Sequence, residues 1–161
     1  MFEMSSDPQT DFGDRRVALR QGPGVAVGVT EAMIRDQVHA FYGRIRKDPA
    51  LGPIFNRVLE DWDVHLAKMC DFWSSVLLMS GRFHGSPMAR HAAVPEIRPT
   101  HFARWLHVFK QTAEEICPPA AAELFVAKSE MIAQSLQLGI AASRGAFGPP
   151  VRAGGARSRT A

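Results

Sequence analysis

Apolar residues recur along this chain at intervals of three and four, and four stretches keep that rhythm long enough to predict long helices. In the first, Ile34, Val38, Phe41, Tyr42 and Ile45 fall on one face. Thr30 supplies its N-cap, Glu31 complements the helix dipole, and Asp48-Pro49 ends it. Pro53-Ile54-Phe55 then predicts a short turn of helix or a tight corner. A second long helix starts near Glu60. Trp62, His65, Met69, Phe72 and Val76 form its stripe, which Leu66 and Trp73 widen. The third takes Thr100 as its cap and Phe102, Trp105, Leu106, Phe109, Ala113 and Ile116 as its apolar face, and it stops at Cys117-Pro118-Pro119. The fourth runs from about Ala120 to Ile140, with Leu124, Phe125, Met131, Ile132, Ser135 and Leu136 turned inward. No stretch carries a strand signal and nothing repeats, so the pattern predicts an all-α fold.

Between the second and third helices lies Ser86-Pro-Met-Ala-Arg-His-Ala-Ala-Val-Pro95. Ser86 can cap a helix, Pro87 suits its first position, and Pro95 stops it. Under three turns remain, too few to be stable alone in water, so this element must be held by what it touches. His91 sits at its centre.

Length, at 161 residues, predicts one domain with a real core. A hydrophobic content of 46% and a charged content of 22% are ordinary for a globular protein. Residues 1–29 are polar and then punctuated by Gly22, Gly24 and Gly28, so a disordered or loosely attached extension is expected there. Those glycines follow no strand and precede no Gly-Lys-Ser/Thr, so they make no phosphate loop. Residues 144–161 are rich in Gly, Pro, Ala and Arg and are expected to form a disordered basic tail. The domain proper is thus 30–143. The net charge of +3 belongs to that tail, because 30–143 is neutral, and nucleic-acid binding loses support. The apolar run near the centre, Val76-Leu-Leu-Met79, is too short to span a bilayer, so no membrane is expected. The N-terminus has acids and no apolar core, which argues against a secretory signal; Arg15-Arg16 lacks the apolar segment of a twin-arginine one. Cys70 and Cys117, with no CxxC, fit neither a disulfide scaffold nor a zinc knuckle, and a reducing cytoplasm is expected.

Three polar-tipped side chains fall on apolar faces: Tyr42 on the first long helix, His65 on the second, Trp105 on the third. Each has a plain structural reading, since a buried Tyr, Trp or His commonly finds a partner within a core. Together, with His91 arriving from a further element, they also suit a metal-centred cofactor with a ligand on one side and donors on the other. Bare-metal signatures are absent: no HExxH, no Glu-x-x-His pair and no Cys-His cluster. One imidazole is too weak for a bare ion but suffices for haem, whose porphyrin supplies four nitrogens and whose faces aromatic residues can bury. Phe41, Phe55, Phe72, Trp73, Phe102 and Phe109 supply that lining, or simply pack.

Phe41-Tyr42, Leu51-Gly-Pro-Ile-Phe55, Asp61-Trp62-x-x-His65, Asp71-Phe72-Trp73, His91 followed by Pro95, and His101-Phe-x-Arg-Trp-Leu106 occur in this order. In them the chain resembles a group III truncated haemoglobin, over roughly residues 30–140. The paired-glycine corners of the other two truncated groups are missing. The resemblance implies a truncated globin-like helical sandwich around a haem b pocket. It implies His91 as proximal iron ligand, Tyr42 and Trp105 as distal donors, and His65 as a distal histidine that gates the pocket. Phe55 and Phe72 would pack at the haem. Lys68, Arg90 and Arg98 would be candidates for its propionates, and His101 would have a structural role. His39, His84 and His107 read as surface residues.

Three functions follow as alternatives. The first is reversible binding of O2, NO or another diatomic ligand. The second is a haem enzyme for nitric oxide dioxygenation or peroxide chemistry, with a reductase as partner. The third is a haem-free helical interaction module. A monomer or weak dimer is expected.

Overall fold

The computed structural model describes residues 21–145, and the readings of 1–20 and 146–161 lie outside them. Six α-helices follow a short 3₁₀ turn at Val25–Val27: α1 (Glu31–Ile45), α2 (Gly52–Val58), α3 (Trp62–Leu78), α4 (Pro87–Ala92), α5 (Pro99–Ile116) and α6 (Pro119–Ser143). No strand occurs among the described residues, and the fold is all-α as the periodicity predicts.

Local chemistry sets most boundaries. Thr30 Oγ1 accepts from the Met33 N–H at 3.2 Å and starts α1. Asp61 accepts from the N–H groups of Asp63 and Val64 and starts α3. Ser86 accepts from Ala89 N–H and Pro87 occupies the first turn of α4. Two boundaries differ from expectation. Arg98, not Thr100, occupies the N-cap of α5, because Pro99 takes the first helical position that its fixed φ favours. Pro119 opens α6 for the same reason, so the Pro118-Pro119 pair both ends one helix and begins the next.

The helices form two layers. α1 crosses α3 and α5, α5 runs along α6, and α4 rests on α6. The centre is aromatic. Phe109 stacks between Trp73 and Trp105, at 5.0 and 5.2 Å between ring centroids, and Phe41 meets both Trp105 and Phe109 edge-on at 5.1 Å. Gln37, fully buried, donates to the Phe109 carbonyl and ties α1 to α5. Asp48 organises the corner before α2: it accepts from the N–H groups of Ala50 and Leu51 and pairs with Arg104 of α5 at 2.7 Å. Burial alone would raise its carboxyl pKa; Arg104 and the two backbone donors outweigh that and hold it below the usual range.

Three inward assignments are corrected. Met131 is 60% exposed, and Ser135 and Ile116 also face outward. The buried line of α6 is Phe125, Ser129, Ala133 and Ile140, because small residues let the helix axis approach α5 closely, and this rotates Met131 and Ser135 to the outside. Residues 22–29 also differ from the loose extension expected of them. The Gly24 N–H donates to the Leu77 carbonyl at 2.7 Å, and Val29 is buried in the core. A Cβ at Gly22, where φ is +90°, would lie 2.5 Å from the Leu77 oxygen. Here glycine permits a close approach to the end of α3; the composition of a packed glycine segment is the same as that of a loose one.

Candidate functional site

All six α-helices contribute to the walls of a cavity of about 520 Å³. Its walls are largely apolar, with Leu51, Phe55, Met69, Phe72, Phe102 and Leu136 among them. That volume lies within the range of small-molecule and cofactor pockets, roughly 300–1,000 Å³.

His91 lines one side. Its Nδ1 lies 2.6 Å from the Pro87 carbonyl oxygen, one turn back along α4. A carbonyl only accepts, so Nδ1 carries the proton and donates. In a neutral ring that leaves the lone pair on Nε2, the arrangement in which a histidine binds a metal and holds its ring orientation. Another part of the lining is polar and aromatic. Tyr42, His65 and Trp105, from three helices, all line it. The His65 ring meets Tyr42 edge-on at 4.8 Å and lies 5.9 Å from Trp62 and 6.3 Å from Phe55. Trp62 is held in turn by a hydrogen bond to Asn56 Oδ1 at 3.0 Å and by Arg46 over its ring.

Electrostatics keeps this side neutral. Burial, reinforced by Coulombic contributions from Arg90, His91 and Lys68, pushes the His65 pKa down to about 4. Burial pushes the Tyr42 phenol well above its ordinary pKa, opposed in part by the Trp105 indole N–H. At neutral pH Tyr42 is therefore a protonated O–H donor and His65 an uncharged imidazole. His65 Nε2 is buried with no hydrogen-bond partner, a lack that native interiors rarely leave uncompensated.

Lys68, one turn beyond His65, and Arg90, next to His91, are exposed and line the cavity. Arg98 is not among the lining residues; Pro99 holds it extended at the N-cap of α5. His101 lines the cavity, and its Nδ1 accepts from the Arg98 N–H at 3.0 Å, the structural role expected of it. His39 and His107 are exposed as read, whereas His84, also exposed, reaches the cavity edge. Sequence reasoning missed the ion pair between Arg57 of α2 and Glu96 after α4, at 2.7 Å, both at the cavity. No helical spacing relates those two residues, so no sequence signal could have found them.

Helices packed around one pocket that a histidine, a tyrosine and a tryptophan line point to a truncated globin. Comparisons with known proteins bear this out. The chain is 30% identical over 113 residues to the group 3 truncated haemoglobin ctb of Campylobacter jejuni, covering 68% of this chain and 89% of that protein. The crystal structure of the group III truncated haemoglobin from C. jejuni superposes with a TM-score of 0.67 at 29% identity, over 70% of this chain and 91% of that one. The group II truncated haemoglobin from Bacillus anthracis superposes with a TM-score of 0.59 at 26% identity, over 71% and 89%. No protein-family model matches. The chain belongs to the group III truncated haemoglobins, globins that bind haem.

The residues present fit that group. Nδ1 of His91 is committed to a carbonyl, an orphaned imidazole nitrogen stands beside Tyr42, the walls are largely apolar, and the cations of Lys68 and Arg90 line the same cavity. No helix among the described residues is long and apolar enough to cross a membrane.

Proposed function

We propose that this chain holds haem b through His91 and binds O2 or another small diatomic ligand on the side of Tyr42, His65 and Trp105. The observation that carries the reading is the 2.6 Å contact from His91 Nδ1 to the Pro87 carbonyl, on a histidine that lines the same cavity as that polar cluster. When bound, haem would supply an iron that His91 could hold and to which an exogenous ligand could bind. The protein does the rest. Pro87 O fixes the imidazole tautomer and strengthens it as a donor to metal. Tyr42 retains its proton and, with the Trp105 indole N–H, offers hydrogen bonds where an electronegative ligand atom would sit. Neutral His65 closes that side with an unpaired nitrogen, suited to a gate. Lys68 and Arg90 hold the carboxylate edge, and Phe55 and Phe72 exclude water. Residues 30–143 with the docked 22–29 segment form the binding unit in this reading, as a monomer or weak dimer in the cytoplasm.

A second reading, turnover of nitric oxide or peroxide with electrons from a reductase, draws on the same paired donors, Tyr42 and Trp105. Groups that stabilise charge developing on a ligand atom serve reaction as well as binding. Titration of the purified chain with haem tests the first step: saturable uptake with a Soret band is expected, and failure to take up haem would return the helical interaction module. The O2 dissociation rate, measured beside nitric oxide consumption under steady reduction, separates the two haem readings. Fast release without turnover leaves a binder; slow release with sustained turnover favours the enzyme.

A further inference from the structure

We propose that Arg144 is a positioning residue for the iron-binding side of the pocket: its guanidinium fastens the loop after α4 and so sets His91 against the cavity. The proposal rests on the reading of His91 as haem ligand.

α4 has only six residues and cannot hold its own shape in water. The segment that follows it forms cavity wall from Ala93 to Ile97. Arg144 spans that segment. Its Nη2 donates to the Val94 carbonyl at 2.8 Å and the Pro95 carbonyl at 3.3 Å, and its Nη1 donates to the Ile97 carbonyl at 2.7 Å. These are charge-assisted bonds to loop carbonyls that are not paired within a helix. The base of the side chain is itself anchored. Arg144 is the C-cap of α6, and its N–H donates to the Ile140 carbonyl at 3.0 Å. Ile140 is buried with Phe102 and Ala133, against Ala92 and Ile97. A planar guanidinium with several donors can serve three carbonyls at once, which an ammonium on a flexible stem cannot do in the same geometry.

A second contact from the same end of α6 holds the start of α4. Met88 lies over Gly139, where a Cβ would stand 2.1 Å from Met88 Sδ. Residues 139–144 thus grip the proximal element on both sides of His91: Met88 three residues before it, and the carbonyls of residues 94–97 after it. The most C-terminal part of the described helix is therefore part of the cofactor side, although it lies outside the motifs that carry the family resemblance.

The test uses the full-length chain loaded with haem, with two readouts: the rate of haem transfer to excess apomyoglobin, and the iron–histidine stretching band of the ferrous form. Arg144→Ala is expected to raise the rate of haem loss about tenfold, the loss of roughly one net hydrogen bond, and to shift or broaden the band. Arg144→Lys is expected to behave more like Arg144→Ala than like wild type, because the charge stays and the fork is lost. Arg44→Ala removes another surface cation, paired with Glu115, and should leave both readouts unchanged. Wild-type haem loss and an unmoved band in Arg144→Ala would overturn the proposal. So would a lower apoprotein unfolding midpoint with an unmoved band, which is the mark of general stabilisation alone. If wild type takes up no haem, the function reading fails instead. The clamp is then read in the apoprotein from exchange of the Val94 and Ile97 amide protons, which bond to the His91 and Val94 carbonyls. Faster exchange in Arg144→Ala supports the clamp, and unchanged exchange overturns it.

Discussion

Tyr42 and His91 face the same cavity from different foundations. Tyr42 stands on a fifteen-residue helix whose neighbours Phe41 and Ile45 are fully buried and whose crossings with α3 and α5 are packed with aromatic rings. His91 stands on a six-residue helix with no buried residue of its own. What holds it is discrete: the Pro87 carbonyl, the Met88–Gly139 contact and the Arg144 guanidinium. The Tyr42 side is therefore set by extended packing, which no single exposed contact can undo, and the His91 side by a few contacts that can each be removed singly. That contrast makes the two sides separable by mutation.

The largest expected effect breaks the His91 side outright. His91→Ala should lose iron coordination or haem itself, seen as loss of the wild-type ferrous spectrum, while far-ultraviolet circular dichroism stays helical. A retained wild-type spectrum would place the ligand elsewhere. Next is the foundation of the Tyr42 side. Phe109 is fully buried among Phe41, Trp73, Trp105 and Phe125, so Phe109→Ala should cost about 3–5 kcal/mol of stability in urea unfolding. A cost below about 1 kcal/mol would mean that the aromatic stack does not carry that side. A smaller effect touches the donors and spares the fold. Tyr42→Phe should speed O2 release about tenfold, one hydrogen bond of about 1.4 kcal/mol, with the iron–histidine band unchanged. Stopped-flow release at the wild-type rate in both Tyr42→Phe and Trp105→Phe would remove the donor roles.

A separate expected effect is on pH dependence. His65 titrates near 6.5 when unfolded and is pushed down to about 4 in the fold. Between those values the unfolded chain binds the extra proton, so stability falls as pH falls through that window. His65→Gln, which cannot titrate there, should flatten this part of the stability curve of the apoprotein. Identical slopes for wild type and variant between pH 6.5 and 4 would show that His65 is not buried as neutral imidazole.

The sequence by itself determined the helices, because periodicity, caps and prolines act over a few residues. Thr30, Ser86 and Pro87 act as their local chemistry predicts, and the apolar face of α1 reads directly from spacing, whereas the buried residues of α3 are Trp73, Ser74 and Leu77, of which spacing marked Trp73. Tyr42, His65, Trp105 and His91 were legible as anomalies, polar tips on apolar faces and a histidine on a helix too short to stand alone. Their convergence on one cavity was expected from their combination and from the family resemblance, and not from periodicity, since the spacing within a helix says nothing of where another helix crosses it. Only the tertiary structure decided that residues 22–29 pack on the core, that Met131 faces outward and that Arg98 stays away from the pocket. It alone placed Glu96 beside Arg57, and Arg144 on the loop after His91. Arg144 lies 53 residues after His91 in a stretch whose composition reads as tail. A hydrogen bond between an arginine and a backbone carbonyl needs no particular residue at the accepting position. Nothing in the sequence marks the acceptor, and only the path of the folded chain brings the two together.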